Sequence, residues 1–246
     1  MNTNDFLIPD WPAPANVRAA STLRTGGASE GSFASFNLAL HVGDDPAAVA
    51  ENRRRLREYL RLPSEPVWLN QVHGTQVVEA IAQPSPPMAD GCVARSPGQV
   101  CVVMTADCLP VLFCDRQGTR VAAAHAGWRG LVGGVLAQTV AALAAPPQEL
   151  LAWLGPAIEQ PAFEVGEEVR EQFIARDPAN ACAFDRNERG RWQADLNVLA
   201  RQELMRLGVQ QIHGGGFGTY ADAGRFFSYR REPKTGRMAS LVWMDA

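Results

Sequence analysis

Residues 100–130, VCVVMTADCLPVLFCDRQGTRVAAAHAGWRG, decide how the rest of the chain is read. Residues 100–104, 109–113 and 121–124 are apolar runs of buried-strand type, the third rich in small residues. Cys108 stands where the first run ends and His125 closes the third. A strand end holds the backbone firmly while its side chain faces a cavity, which suits a reactive group. Beyond His125, two glycines flank Trp128 and Arg129, and an apolar helical run follows at 131–143. A glycine-bracketed turn opening a helix offers free N–H groups to an anion.

Upstream, residues 66–74, PVWLNQVHG, read as a short strand that stops at a glycine with His73 at its tip. His73, Cys108 and His125 therefore share one setting, each closing an apolar run before a turn. Two imidazoles and a thiolate suit zinc, and three protein ligands leave a fourth position for water or substrate. A lone His or Cys at a strand end is more often structural. Three such ends in a chain with only four histidines shift the balance toward a site.

The remainder of the 246 residues is ordinary globular sequence, 46% hydrophobic and 20% charged with a net charge of −3. One domain spanning residues 1–246 is expected. No basic stripe favours nucleic acid. The N-terminal MNTNDFLIPDWPAP lacks the charged and apolar regions of a leader, and no run of about 18 apolar residues follows. A soluble cytoplasmic protein is expected. Five cysteines, an odd number without CxxC spacing, fit a reducing compartment. Cys92, Cys101, Cys114 and Cys182 are expected as buried small hydrophobes.

Strand patterns at 17–22, 75–81, 150–154, 209–212 and 238–243 alternate with helical ones at 46–62, 131–144, 164–175 and 194–207. That alternation predicts an α/β or α+β fold with mixed sheets. Asp44 and Asp45 are N-cap candidates with Pro46 at the first helical position, and Arg53, Arg54, Arg55 and Arg57 form a solvated face. Residues 83–90, QPSPPMAD, are a Pro-rich loop. Arginines at 24, 225, 230 and 231 stand beside turns or aromatic residues; in a pocket they would clamp phosphate, and on a surface they would be solvated.

Taken together, NQVHGTQV, TADCLPVLFCD, AAAHAGWRG, WLGPAI, FEVG, FFSYRRE and TGRMASL resemble the YfiH-like family. That family is also labelled laccase-domain or multicopper polyphenol oxidase, and its members are described as purine nucleoside phosphorylases. The resemblance runs from STLRTGGAS to the last strand. It implies a layered α/β/β/α sandwich and one metal per chain, usually zinc, on His73, Cys108 and His125. It further implies phosphorolysis of adenosine, inosine and methylthioadenosine, with adenosine deamination alongside. Phe217 and Gly218 depart from the pattern, since relatives commonly carry a cysteine before Thr219 and Tyr220.

Copper is the alternative metal, because two His and one Cys also suit a blue-copper centre. A four-electron oxidase needs a further histidine-rich cluster, and only His41 and His213 remain, with no HxH pair. A cysteine amidase acting on peptidoglycan precursors, with Cys108 as nucleophile activated by His125 or His73, is the second class. A structural zinc with Cys101 or Cys114 as fourth ligand is the third. For phosphorolysis the expected phosphate cations are Arg129 and Arg230, with Arg24 behind them. Asp107 is expected to transfer a proton, although neighbours along a strand point to opposite faces. Asn37 is expected to hydrogen-bond the nucleoside.

Overall fold

A computed structural model describes residues 6–245. Strands β1 (Phe6–Leu7) and β2 (Val17–Thr22) precede helix α1 (Pro46–Leu60). Strands β3 (Val77–Glu79), β4 (Gly91–Ala94), β5 (Val100–Thr105), β6 (Leu109–Asp115) and β7 (Val121–Ala126) follow. Next come α2 (Trp128–Gly133), α3 (Val135–Leu143), β8 (Leu150–Leu154), β9 (Glu164–Val165), α4 (Glu167–Arg176), β10 (Phe184–Arg186) and β11 (Trp192–Ala194). Helix α5 (Leu196–Arg206), β12 (Gln211–Gly214) and β13 (Met238–Met244) complete the order.

An antiparallel sheet runs β1-β2-β13-β5, and a mixed sheet runs β12-β8-β6-β7-β4-β3, parallel only in the β12–β8 and β4–β3 pairs. A short sheet, β10-β11-β9, stands apart. Residue parity assigns the faces of the two large sheets. In β6 and β7, Leu112, Cys114, Val121 and Ala123 face the other sheet, where they meet Cys101 and Val103 of β5 and Val242 of β13. Val111, Phe113, Ala122 and Ala124 face the opposite way, toward Leu136 and Val140 of α3 and Leu199 of α5. On the far side, Val100, Val102 and Leu241 pack against Leu56 of α1. The α/β class expected from the alternation of patterns and the α/β/β/α layering implied by the family resemblance are therefore observed. Both faces of the central strands are covered, which is why they read as continuous apolar runs.

Helix α1 starts as its sequence predicts: Asp45 accepts from the Ala47 amide and Pro46 takes the first turn. Elsewhere the local reading is corrected. Residues 66–74 form no regular strand and make only the isolated bridges Val67–Cys101 and Asn70–Met88. The amides of Val72, His73 and Gly74 donate to the Asp90 carboxylate instead of to a ladder. The helical run 131–144 breaks at Gly134, whose φ of 102° is left-handed. The helix expected from 164 begins at Glu167, because Glu164 and Val165 pair with β11. Cys182 is exposed, whereas Cys92, Cys101 and Cys114 are buried as expected. Arg53 is only partly solvated: its guanidinium lies 3.8 Å from the centre of the Trp68 ring, and burial lowers its pKa to about 10. No helix among the described residues is long and apolar enough to cross a membrane.

Candidate functional site

β5 and β6 are adjacent in sequence but belong to different sheets, so residues 106–108 carry the chain across the end of the sandwich. The corner is tight: Asp107 has φ 91°, a conformation rare for a residue with a side chain. Its carboxylate holds it there, Oδ1 accepting from Thr219 Oγ1 at 2.7 Å and Oδ2 from the Arg230 amide at 2.6 Å. Cys108 emerges from this corner, half-buried. His125 lies at the same end, on the intersheet face by its parity with Val121 and Ala123, and is buried. His73 comes from the loop before β3 with φ 60°, its amide held by Asp90 Oδ1 at 2.9 Å.

The three donor atoms lie within 4.8 Å of one another, with Cys108 Sγ 3.8 Å from His73 Nε2. Metal–ligand bonds of about 2.0–2.3 Å at tetrahedral angles separate donors by roughly 3.5 Å, so the set is close to closing on an ion. Asp90, fully buried at the start of β4, accepts from His125 Nδ1 at 2.8 Å. That hydrogen bond leaves Nε2 as the imidazole lone pair facing the cavity. The same carboxylate takes the amides of Val72, His73 and Gly74. One side chain thus orients one candidate donor and the loop that carries another. Sequence reading passed over Asp90, whose only local signal is its position as the last residue of a Pro-rich loop.

Charge is concentrated here. Burial alone would raise the Cys108 thiol, but His125 and His73 beside it bring its pKa down to about 6. Burial alone would lower His125, but Cys108 and Asp90 raise it to about 9. Against its own burial, Asp90 is held below its ordinary value by His125 and the loop amides. Gly127 leaves room for the cluster, since a Cβ there would sit 2.9 Å from Cys108 Sγ and 3.0 Å from His73 Cδ2. Its backbone, φ −64° and ψ 159°, accepts any residue, so Gly127→Ala should be felt through the donors. The expected outcome is a metal affinity weakened about 10-fold or more with at most ~1–3 kcal/mol lost in stability. Competition with a chelator and a thermal melt check both; unchanged affinity would refute the packing argument.

The donors open into a cavity of about 570 Å³ whose walls include Trp128, Phe163, Tyr229, Arg129, Arg230 and Arg237. Aromatic faces and guanidinium groups thus share one chamber with the donor cluster.

A family model described as multi-copper polyphenol oxidoreductase laccase matches residues 18–245. The chain belongs to this family. A purine nucleoside phosphorylase of Pseudomonas aeruginosa is 58% identical over 244 residues, covering 98% of this chain and 99% of the relative. Purine nucleoside phosphorylase YfiH of Escherichia coli is 53% identical over 240 residues, covering 97% and 98%. Among solved structures, Neisseria meningitidis protein NMB0706 superposes with a TM-score of 0.95 at 52% identity, over 98% of this chain and 100% of that one. YlmD from Geobacillus stearothermophilus superposes at 0.92 with 29% identity, over 100% and 98%.

Despite the laccase family's description, His73, Cys108 and His125 are the one group of at least three metal-type ligands among the described residues. His213 is in β12 and His41 lines the cavity, so no second histidine cluster stands beside the first. Cys101 and Cys114 face the intersheet core and offer no fourth ligand. Of the other expected site residues, Arg129, Arg230 and Asp107 line the cavity, with each Asp107 oxygen accepting one hydrogen bond as described. Arg24 is not among its walls: it donates to the carbonyls of Ala34 and Ala223 and lies over Phe227. Asn37 is buried outside it, bonded to Ala39, Asp44 and the Arg237 amide. Gly218, at the departure from the family pattern, faces Glu159; a Cβ there would lie 2.6 Å from the carboxylate that accepts from the Tyr220 and Ala221 amides.

Proposed function

We propose that this protein is a cytoplasmic zinc enzyme that cleaves the N-glycosidic bond of purine nucleosides with phosphate, accepting adenosine, inosine and methylthioadenosine, and that it also deaminates adenosine. The observation that carries the proposal is the convergence of His73, Cys108 and His125 on a chamber lined by aromatic rings and guanidinium groups. The relatives named purine nucleoside phosphorylase support it. A core shared by both large sheets and a family match over residues 18–245 support one domain over residues 1–246. Five free thiols support a reducing compartment.

Two imidazoles and one thiolate fit one zinc per chain. When bound, zinc supplies Lewis acidity at the position that three protein ligands leave open. The residues around it do the rest. Asp90 fixes the His125 ring. Trp128, Phe163 and Tyr229 offer faces for a purine, and the chamber's volume suits a nucleoside with phosphate. Arg129 and Arg230 attract the phosphate and stabilise charge that develops on it. Asp107 holds the Cys108 corner and the Arg230 amide with one hydrogen bond on each oxygen, and the second lone pair of each oxygen leaves it able to transfer a proton from the cavity wall.

The test is an assay of purified protein with adenosine, inosine and methylthioadenosine, with and without phosphate, following free base and ribose phosphate by chromatography. Phosphate-dependent base release that disappears in Cys108→Ala is expected. The aligned Cys108, His125 and Asp90 favour one second reading, a cysteine amidase. No nucleoside turnover, with cleavage of an amino acid from a muramoyl precursor by metal-free protein, would decide for it. Arg230→Ala should raise the apparent KM for phosphate about 10-fold, while Arg54→Ala, on the outer face of α1, should leave it unchanged. Equal effects of the two changes would remove Arg230 from the phosphate site.

A further inference from the structure

Arg237 is a cavity wall that neither the donor cluster nor the phosphate residues just named account for. Its Nη1 donates to the carbonyls of Thr235 and Gly236, 3.0 Å each, which commits one end of the guanidinium to its own turn. Nε and Nη2 have no hydrogen-bond partner among the described residues, and no carboxylate there forms an ion pair with it. That free edge carries parallel N–H groups, the pattern that grips a carboxylate or phosphate bidentately. Arg230 differs, since both its terminal nitrogens donate to the carbonyls of Ala162 and Glu164.

The position is built rather than incidental. Buried Asn37 accepts from the Arg237 amide and from the Ala39 amide, 3.0 Å each, and donates to Asp44 at 2.8 Å. It thereby ties the Arg237 turn to the 39–44 segment that brings His41 to the same cavity. Gly236 is packed so closely that a Cβ would lie 2.7 Å from Phe227 and 2.9 Å from Asn37, which keeps the turn in place. Tyr229 flanks the guanidinium, its ring centre 5.7 Å away.

We infer that the Nε–Nη2 edge of Arg237, with His41 on the same wall, is an oxyanion subsite of the cavity, occupied either by inorganic phosphate or by a phosphate group carried on the substrate. In its catalytic sense the assignment rests on the phosphorolysis reading; as a binding site it stands without it. Calorimetric titration of the metal-loaded protein with inorganic phosphate, and separately with a purine nucleoside 5′-monophosphate, tests it in wild type, Arg237→Gln and Arg237→Lys. Loss of a charged bidentate contact should weaken binding about 10-fold or more in Arg237→Gln. Arg237→Lys, which keeps the charge and loses the fork, should fall between. An effect confined to inorganic phosphate marks the subsite as the co-substrate's, and one confined to the monophosphate marks it as the nucleoside's. Arg237→Gln binding both ligands within twofold of wild type would overturn the inference, as would a wild type that binds neither at millimolar concentration. Should Arg237→Gln fail a thermal melt, the Lys variant decides by the same criterion. Base release is assayed in parallel: Arg237-dependent phosphate binding without phosphorolysis would sink the proposed activity and leave the subsite standing.

Discussion

Cys108→Ala should reduce bound zinc from near one ion per chain to near zero and lower nucleoside turnover by roughly 10³-fold or more, a change of about 4 kcal/mol in the barrier. The donor set has only three members, so alanine leaves two imidazoles and no negative ligand to balance the ion. The fold should survive, because Cys108 is half-buried at the cavity rather than in a core cluster. Elemental analysis and a thermal melt separate metal loss from unfolding. Metal removal from the wild type supplies a second readout. With the thiol at about 6, held down by the two histidines against its burial, metal-free Cys108 is thiolate above that pH and thiol below it. Iodoacetamide labelling of the metal-free protein should therefore rise through a midpoint near pH 6, whereas exposed Cys182 in the same sample serves as an internal reference. Zinc should protect Cys108 at every pH. Stoichiometric zinc retained by the alanine variant, or a labelling midpoint at the ordinary thiol value, would contradict the assigned centre.

Asp90→Ala should be the most destabilising single change at the site. The buried carboxylate accepts from His125 Nδ1 and from three successive backbone amides, at 2.6 to 3.2 Å. Alanine removes every acceptor at once and leaves those donors without partners, at a cost of about 3–5 kcal/mol. In a chain of this length that lowers Tm by ~10 °C or more. Asp90→Asn retains one acceptor oxygen but presents an N–H where an amide already points, so it should lie between the two. Both variants release the His125 ring and the His73 loop together, and zinc affinity should fall about 10- to 100-fold in the Asn form. Calorimetry and chelator competition measure the two effects. A Tm within two or three degrees of wild type for Asp90→Ala would show that the loop amides find other partners.

The central strands were readable from residues 100–130 because each face of β5, β6 and β7 is covered, and a strand buried on both sides is an unbroken apolar run. The donor trio was readable for a related reason: each member follows an apolar run and precedes a turn, a local property that needs no knowledge of partners. Strand β4 was missed, being four residues of small side chains with no alternation. Residues 66–74 misled because their apolar pattern is that of a strand while Asp90 draws off the amides.

Residue chemistry alone nominated Arg24 and Asn37 as well as Arg129 and Arg230, and nothing local distinguishes them. Tertiary structure does so by deciding which of them reach the cavity: Arg129 and Arg230 line it, whereas Arg24 lies outside against the carbonyls of Ala34 and Ala223, and Asn37 is buried beneath the Arg237 turn. Asp107 was nominated as a proton carrier, and only partners more than 100 residues away in sequence reveal that its carboxylate also pins the corner that presents Cys108. Sequence by itself thus determined the α/β class and nominated the three candidate metal donors, since both follow from short-range periodicity and residue type, whereas the layering came from the family resemblance. Asp90, the free edge of Arg237 and the crossing between sheets at residues 106–108 were decided only by the folded chain, because a side chain's role depends on which polar groups long-range packing leaves unpaired.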